Sequence, residues 1–250
     1  MKICFLAGNY FCYITKVSRK VQRLESEESL TNTLSTSAQQ VNMEKKLEKQ
    51  MYQISDPLFE VCIGVILGDA SIQRNTSKKI EKYRLKFLQS AKHEKYVFHL
   101  HEIFKDYVVS QPYFNEKRNT FSFQTVFHSD FNKVAHIFLD KKDNKKIISD
   151  FFTIYPISPI SLAYWFMDDG GLLSYNKDYI RKSLVFNTQG FSFNEVNVVS
   201  ENLNTTYNLE TWVKLNKNKP IIAVSGKKYT QIKNLISPYI IPSMKYKLPL

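Results

Sequence analysis

Two aspartates, Asp69 and Asp169, stand 100 residues apart in matching surroundings. Asp69 closes the apolar run Ile63-Gly64-Val65-Ile66-Leu67-Gly68-Asp69-Ala70. Asp169 closes Leu162-Ala163-Tyr164-Trp165-Phe166-Met167-Asp168-Asp169-Gly170. Acids are rarely buried unless paired or bound to metal. The C-terminal end of a helix also disfavours an acid, because the helix dipole is negative there. An acid in this position twice over suggests a purpose. If the two carboxylates lie together they repel, and a bound divalent cation relieves the repulsion.

Each run reads as a helix that begins at a proline, Pro57 after Asp56 and Pro159 after Ser158. Proline is tolerated at the first helical position. Both helices are apolar nearly all round, so each should be buried on more than one face. Gly64 and Gly68 are four apart and share a helix face, which lets another backbone approach. The economical arrangement packs the two helices side by side with Asp69 and Asp169 at one end.

The flanking sequence repeats with them. In the first unit, 70–75 reads as a short strand, and 82–89 alternates Tyr83, Leu85 and Phe87 against Lys82, Arg84 and Lys86. A strand with one greasy and one cationic face suits phosphates, and equally suits a solvated sheet face. An amphipathic helix over 92–104, a hairpin over 111–127 turning at 115–119, and a helix over 130–139 complete the unit. The second repeats the order: helix 159–169, strands 172–175 and 181–189, a capping-box helix start at Ser192 and Glu195, strands 209–215 and 221–224, and a helix over 229–236. Gln89 and Gln189 close corresponding strands. The chain is thus an internal duplication with three parts: 1–44, an N-terminal tail that is disordered or processed, and units 45–146 and 147–250.

Composition narrows the partner. Lys and Arg outnumber Asp and Glu 35 to 23, a formal charge of +12, which favours a polyanion such as nucleic acid or an anionic membrane surface. No apolar run reaches the length of a membrane span, so we expect a soluble protein. Cys4, Cys12 and Cys62 have no metal spacing and an odd count, which argues against a disulfide framework.

The two helix-plus-aspartate motifs resemble those of the LAGLIDADG homing endonucleases, in particular the two-motif, single-chain enzymes of mitochondrial introns. The likeness covers about residues 47 to 250 and extends through Asn187-Thr188-Gln189, Asn216-Lys217-Asn218-Lys219-Pro220 and Tyr246-Lys247-Leu248-Pro249. It implies an α+β fold of two pseudo-symmetric αββαββα halves whose sheets form a saddle over DNA. It also implies Mg²⁺, with Mn²⁺ as a substitute, and cleavage of both strands of a long asymmetric site to leave 3′ overhangs. By position, Asp69 and Asp169 are the metal-binding catalytic acids. The main chain at Gly68 and Asp168 supplies further metal donors. Lys146 and Lys247 are the active-site cations, and Gln89 and Gln189 lie near the scissile phosphates. DNA contacts are expected from Arg74, Lys82, Arg84, Lys86, Lys117, Arg118, Arg181, Lys182, Lys214 and Lys217. The resemblance implies a monomer on double-stranded DNA at an intron-insertion site, in the mitochondrion and away from membranes. The alternative is an intron maturase on the same fold, which binds its own intron RNA.

Overall fold

A computed structural model describes residues 57–75, 81–140, 146–148, 150–173 and 183–248. These lie within one compact unit, Ile54–Leu250. The tail at 1–44, and Arg181 and Lys182, fall outside the described residues.

Helix α1 (Pro57–Leu67) leads to β1 (Ser71–Arg74), β2 (Tyr83–Ser90), α2 (Glu94–Ile103), β3 (Tyr113–Asn115), β4 (Thr120–Gln124) and α3 (Asp130–Phe138). A single helical turn, α4 (Phe151–Ile154), precedes the second round. That round is α5 (Pro159–Asp169), β5 (Gly170–Leu172), β6 (Leu184–Asn187), α6 (Phe193–Tyr207), β7 (Thr211–Asn216), β8 (Lys219–Val224) and α7 (Tyr229–Ile236). The sheets are antiparallel, ordered β1-β2-β4-β3 and β5-β6-β8-β7. The expected duplication is therefore present, with α4 unforeseen because one turn is too short to show a period. Strand β5 starts at Gly170, two residues before the expected 172.

Helices α1 and α5 pack along each other and form the centre of the core. Gly64 sets their separation. A Cβ there would lie 2.4 Å from the Ser161 carbonyl oxygen and 2.7 Å from Tyr164 Cβ. At the far end from the aspartates, buried Glu60 accepts hydrogen bonds from the Tyr155 hydroxyl, from Ser158 Oγ at 2.5 Å and from Ser161 Oγ at 2.7 Å. A buried acid is tolerable when its oxygens are satisfied in this way. Ser158 also caps α5 by accepting from the Ser161 amide at 3.1 Å.

Gly64→Ala should push the helices apart. Alanine favours helix by about 1 kcal/mol, but the methyl meets backbone, which cannot swing aside. The expected net loss is about 1–3 kcal/mol, read as a lower urea midpoint at unchanged slope. An unchanged midpoint would show that the interface has slack.

The first sheet separates its faces by pleat. Tyr83, Leu85, Phe87 and Phe123 are buried toward α2 and α3. Arg84 and Lys86 sit on the opposite face, as their alternation suggests. In the second sheet, the β7–β8 hairpin turns on Lys217 and Asn218, with φ of 49° and 63°. Two left-handed residues match the type I′ turn that suits the twist of a hairpin.

Candidate active site

The C-terminal ends of α1 and α5 meet. A Cβ on Gly68 would lie 2.5 Å from both Cβ and Oδ2 of Asp168, so the bare glycine makes room for that carboxyl group. The Asp69 amide donates to Asp168 Oδ2 at 3.3 Å. Gln89, buried at the end of β2, donates from Nε2 to Asp69 Oδ2 at 2.8 Å and to Asp168 Oδ1 at 3.1 Å. Asp169 belongs to the same cluster, and its ionisation responds to Asp69, Lys146 and Lys247.

Lys146 and Lys247 reach this centre from far along the chain. Lys146 Nζ donates to the carbonyls of Ile66 and Gly68, both at 2.8 Å. Lys247 Nζ donates to those of Met167 at 2.6 Å and Asp168 at 2.9 Å. Each lysine thus covers the unpaired carbonyls at one helix end and offsets the negative end of the dipole. The Gly68 and Asp168 carbonyls, expected as further metal donors, thus also anchor the two lysines. Both carbonyls already accept from an ammonium, which leaves one lone pair each. It is the side chain of Asp168, not singled out beforehand, that enters the centre.

Gln189 does not repeat the placement of Gln89. In β6 the core-facing residues are Leu184 and Phe186, so the next on that side is Thr188, which is buried and donates to the Pro220 carbonyl at 2.8 Å. Gln189 has the opposite parity to Gln89. It donates to Asn187 Oδ1 at 3.2 Å, and Asn187 in turn donates to the Asp169 carbonyl at 2.9 Å. Gln189 is therefore one residue removed from the acids.

The site is electrostatically tense. Burial, then the charge of Asp69, holds the Asp168 carboxyl well above the usual range. The same two causes push Asp169 up to about 7. Burial lowers both lysines, although the three acids pull them back up. Carboxylates and carbonyls are hard oxygen donors, which suit Mg²⁺ rather than a thiolate-loving ion. Among the described residues no three His, Cys, Asp or Glu side chains are grouped to hold a metal by themselves. The residues fit an ion that keeps water and phosphate oxygens in its shell, which is the habit of Mg²⁺.

The raised Asp169 predicts a pH effect. The unfolded chain loses this proton near 4, and the folded one near 7. Folding therefore takes up a proton between those values, and stability contributed at low pH is lost as pH rises toward 7. The full difference is at most about 4 kcal/mol. Denaturant melts of chelator-treated protein should show lower stability at pH 8 than at pH 5, with the gap narrowed in Asp169→Asn. A gap of the same size in that variant would contradict this.

The expected nucleic-acid contacts divide by face. Register places Ser71 and Gln73 opposite Lys86 and Arg84, and Gln124 and Ser122 opposite Lys86 and Leu88. Arg84 is held ready, its Nε donating to Gln73 Oε1 at 2.8 Å and its guanidinium 4.5 Å from the Phe127 ring centroid. Lys82 precedes β2 with the parity of Arg84. Lys117, Arg118 and Lys217 are exposed at hairpin turns, and Lys214 is exposed on β7 beside Trp212. Arg74 lies on the other side of the pleat. It pairs with Tyr83, on the core side of the pleat, and its guanidinium lies 3.0 Å from Glu81. Sequence reasoning missed Gln73, Gln124 and Trp212 on the open faces, because only charge marked candidates there.

Comparison with known proteins agrees with this geometry. The model of the LAGLIDADG DNA endonuclease family matches residues 59–232, across both motif helices. The chain is 41% identical over 211 residues to probable intron-encoded endonuclease 1 of Wickerhamomyces canadensis, covering 82% of this chain and 89% of that protein. It is 28% identical over 234 residues to the cytochrome b mRNA maturase bI2 of Debaryomyces hansenii, covering 83% and 77%. Among solved structures, the homing endonuclease I-WcaI bound to its DNA recognition sequence superposes with a TM-score of 0.70 at 41% identity, covering 79% of this chain and 88% of that one.

Proposed function

The chain belongs to the LAGLIDADG DNA endonuclease family, and from that premise we propose that it is an intron-encoded, site-specific homing endonuclease cutting both strands of double-stranded DNA. The observation that supports this most is the paired helix end, where Asp69 and Asp168 meet under Gln89 with one lysine on each side, and Asp169 is near enough to feel the charge of Asp69.

The residues divide the work. Asp69 and Asp169 would hold Mg²⁺ or Mn²⁺, which when bound neutralises phosphate charge and makes water a better nucleophile. Lys146 and Lys247, anchored on carbonyls, present fixed positive charge where the phosphate gains negative charge. Because they are anchored before DNA arrives, little reorganisation is needed. The open faces carrying Arg84, Lys86 and Lys214 would lie on the duplex, with phosphate contacts giving affinity and base contacts giving specificity. A mitochondrial intron origin is part of this proposal, and kinship with cytochrome b mRNA maturases accords with it.

That kinship also supports a second reading, an RNA-binding splicing cofactor. Binding RNA requires no acid cluster, so retention of all three aspartates favours the nuclease. The test is incubation with a library of intron-insertion junctions in Mg²⁺, followed by sequencing of cut ends. One discrete cut sequence supports the proposal. Splicing of intron RNA with no cut DNA would overturn it in favour of the cofactor.

A further inference from the structure

Gln89 is held from behind. Its Oε1 lies 3.2 Å from Nδ1 of His93, four residues further along just past the end of β2, and His93 Nε2 lies 3.1 Å from the hydroxyl of Tyr246. The direction of these bonds follows from chemistry. The Gln89 amide nitrogen donates to Asp69 and Asp168, so its oxygen, which only accepts, faces His93. The histidine must then carry its proton on Nδ1. In the neutral ring Nε2 accepts, and the Tyr246 hydroxyl donates to it.

The chain of bonds joins the two units. Gln89 and His93 belong to the first, whereas Tyr246 immediately precedes Lys247, whose ammonium holds the end of α5. It also lacks a match in the second unit among the described residues. There Thr188 occupies the core-facing place at the end of β6 and turns to the Pro220 carbonyl instead of an acid. Tyr246 is exposed over most of its surface, so packing alone does not hold its hydroxyl beside His93. Burial and the charge of Lys247 lower the His93 pKa, which keeps the ring neutral.

We propose that His93 is a positioning residue: it fixes the Gln89 amide on Asp69 and Asp168, is itself fixed by Tyr246, and so sets one of the two strand-cutting sites and not the other. The inference rests on the nuclease reading for its effect on cutting, but not for the bond pattern.

Two measurements test it. On supercoiled plasmid carrying the cut sequence, His93→Ala should slow one strand by about tenfold relative to the other and accumulate nicked circles. His93→Asn should recover most of the loss, because its amide nitrogen lies where imidazole Nδ1 lies. His93→Gln should not. Tyr246→Phe, which removes only a hydroxyl from an exposed ring, should give a smaller bias of the same sign. Variants that slow both strands equally, or leave both unchanged, overturn the proposal. In the free protein, nitrogen NMR of labelled histidine should show His93 protonated on Nδ1 with bare Nε2. An Nε2-protonated or averaging ring overturns the bond pattern whether or not DNA is cut. A chain with the expected tautomer that cuts no DNA sinks the nuclease reading and the cutting role, while the anchoring of Gln89 stands.

Discussion

Asp69→Asn and Asp169→Asn should each lower double-strand cleavage by roughly 10³-fold or more while DNA binding persists. The amide is nearly the shape of the acid but lacks the charge that holds a divalent cation. For Asp69 the substitution also replaces an acceptor facing Gln89 Nε2 at 2.8 Å. Affinity for DNA comes mostly from basic and polar groups on the sheet faces, so it should change little. Removing one of several crowded carboxylates relieves repulsion, so neither variant should unfold. Binding by gel shift and cleavage by strand-resolved gel would be compared on the same target. Wild-type cleavage by either variant would remove that acid from the mechanism.

Lys146→Met and Lys247→Met should each cost about 10²–10³-fold in rate, the usual scale for losing one preorganised group that stabilises transition-state charge. Methionine keeps much of the apolar stem. The cost to stability is separate: Lys146 leaves the Ile66 and Gly68 carbonyls, and Lys247 those of Met167 and Asp168, without their ammonium. Single-turnover cleavage at saturating protein isolates the chemical step from binding and folding. A variant that binds normally and cuts at the wild-type rate would leave its lysine with only the role of capping a helix.

Much of this arrangement could be read from residues alone. Pro57, Pro159 and the glycines mark where α1 and α5 start and which face is open, and those signals are local. The alternation from Tyr83 to Phe87 fixes the faces of β2, since a strand has only two sides. Other features depend on register or long reach. Gln189 matches Gln89 by count, but the pleat of β6 brings Thr188 to the core side, and counting residues does not reveal a shift of one. Arg74 looks like any exposed cation until its pairing with Tyr83 and Glu81 is known. Asp168 was expected to contribute through its main chain, not its side chain. A signal for it was present, because Gly68 stands at the corresponding place in the first motif, and a bare residue opposite an acid marks space for that acid. The bonds of Lys146 and Lys247 span about 80 positions, and there the family resemblance, not local pattern, pointed to these two lysines.

The central claim is that one chain carries two cutting sites with unlike contact faces. Base-resolution mapping of both cut ends on the target recovered from the junction library tests it most directly. The expected result is a single cut on each strand, staggered to leave a short 3′ overhang, within a sequence that has no twofold symmetry. A palindromic site, or a stable cut on one strand only, would contradict it.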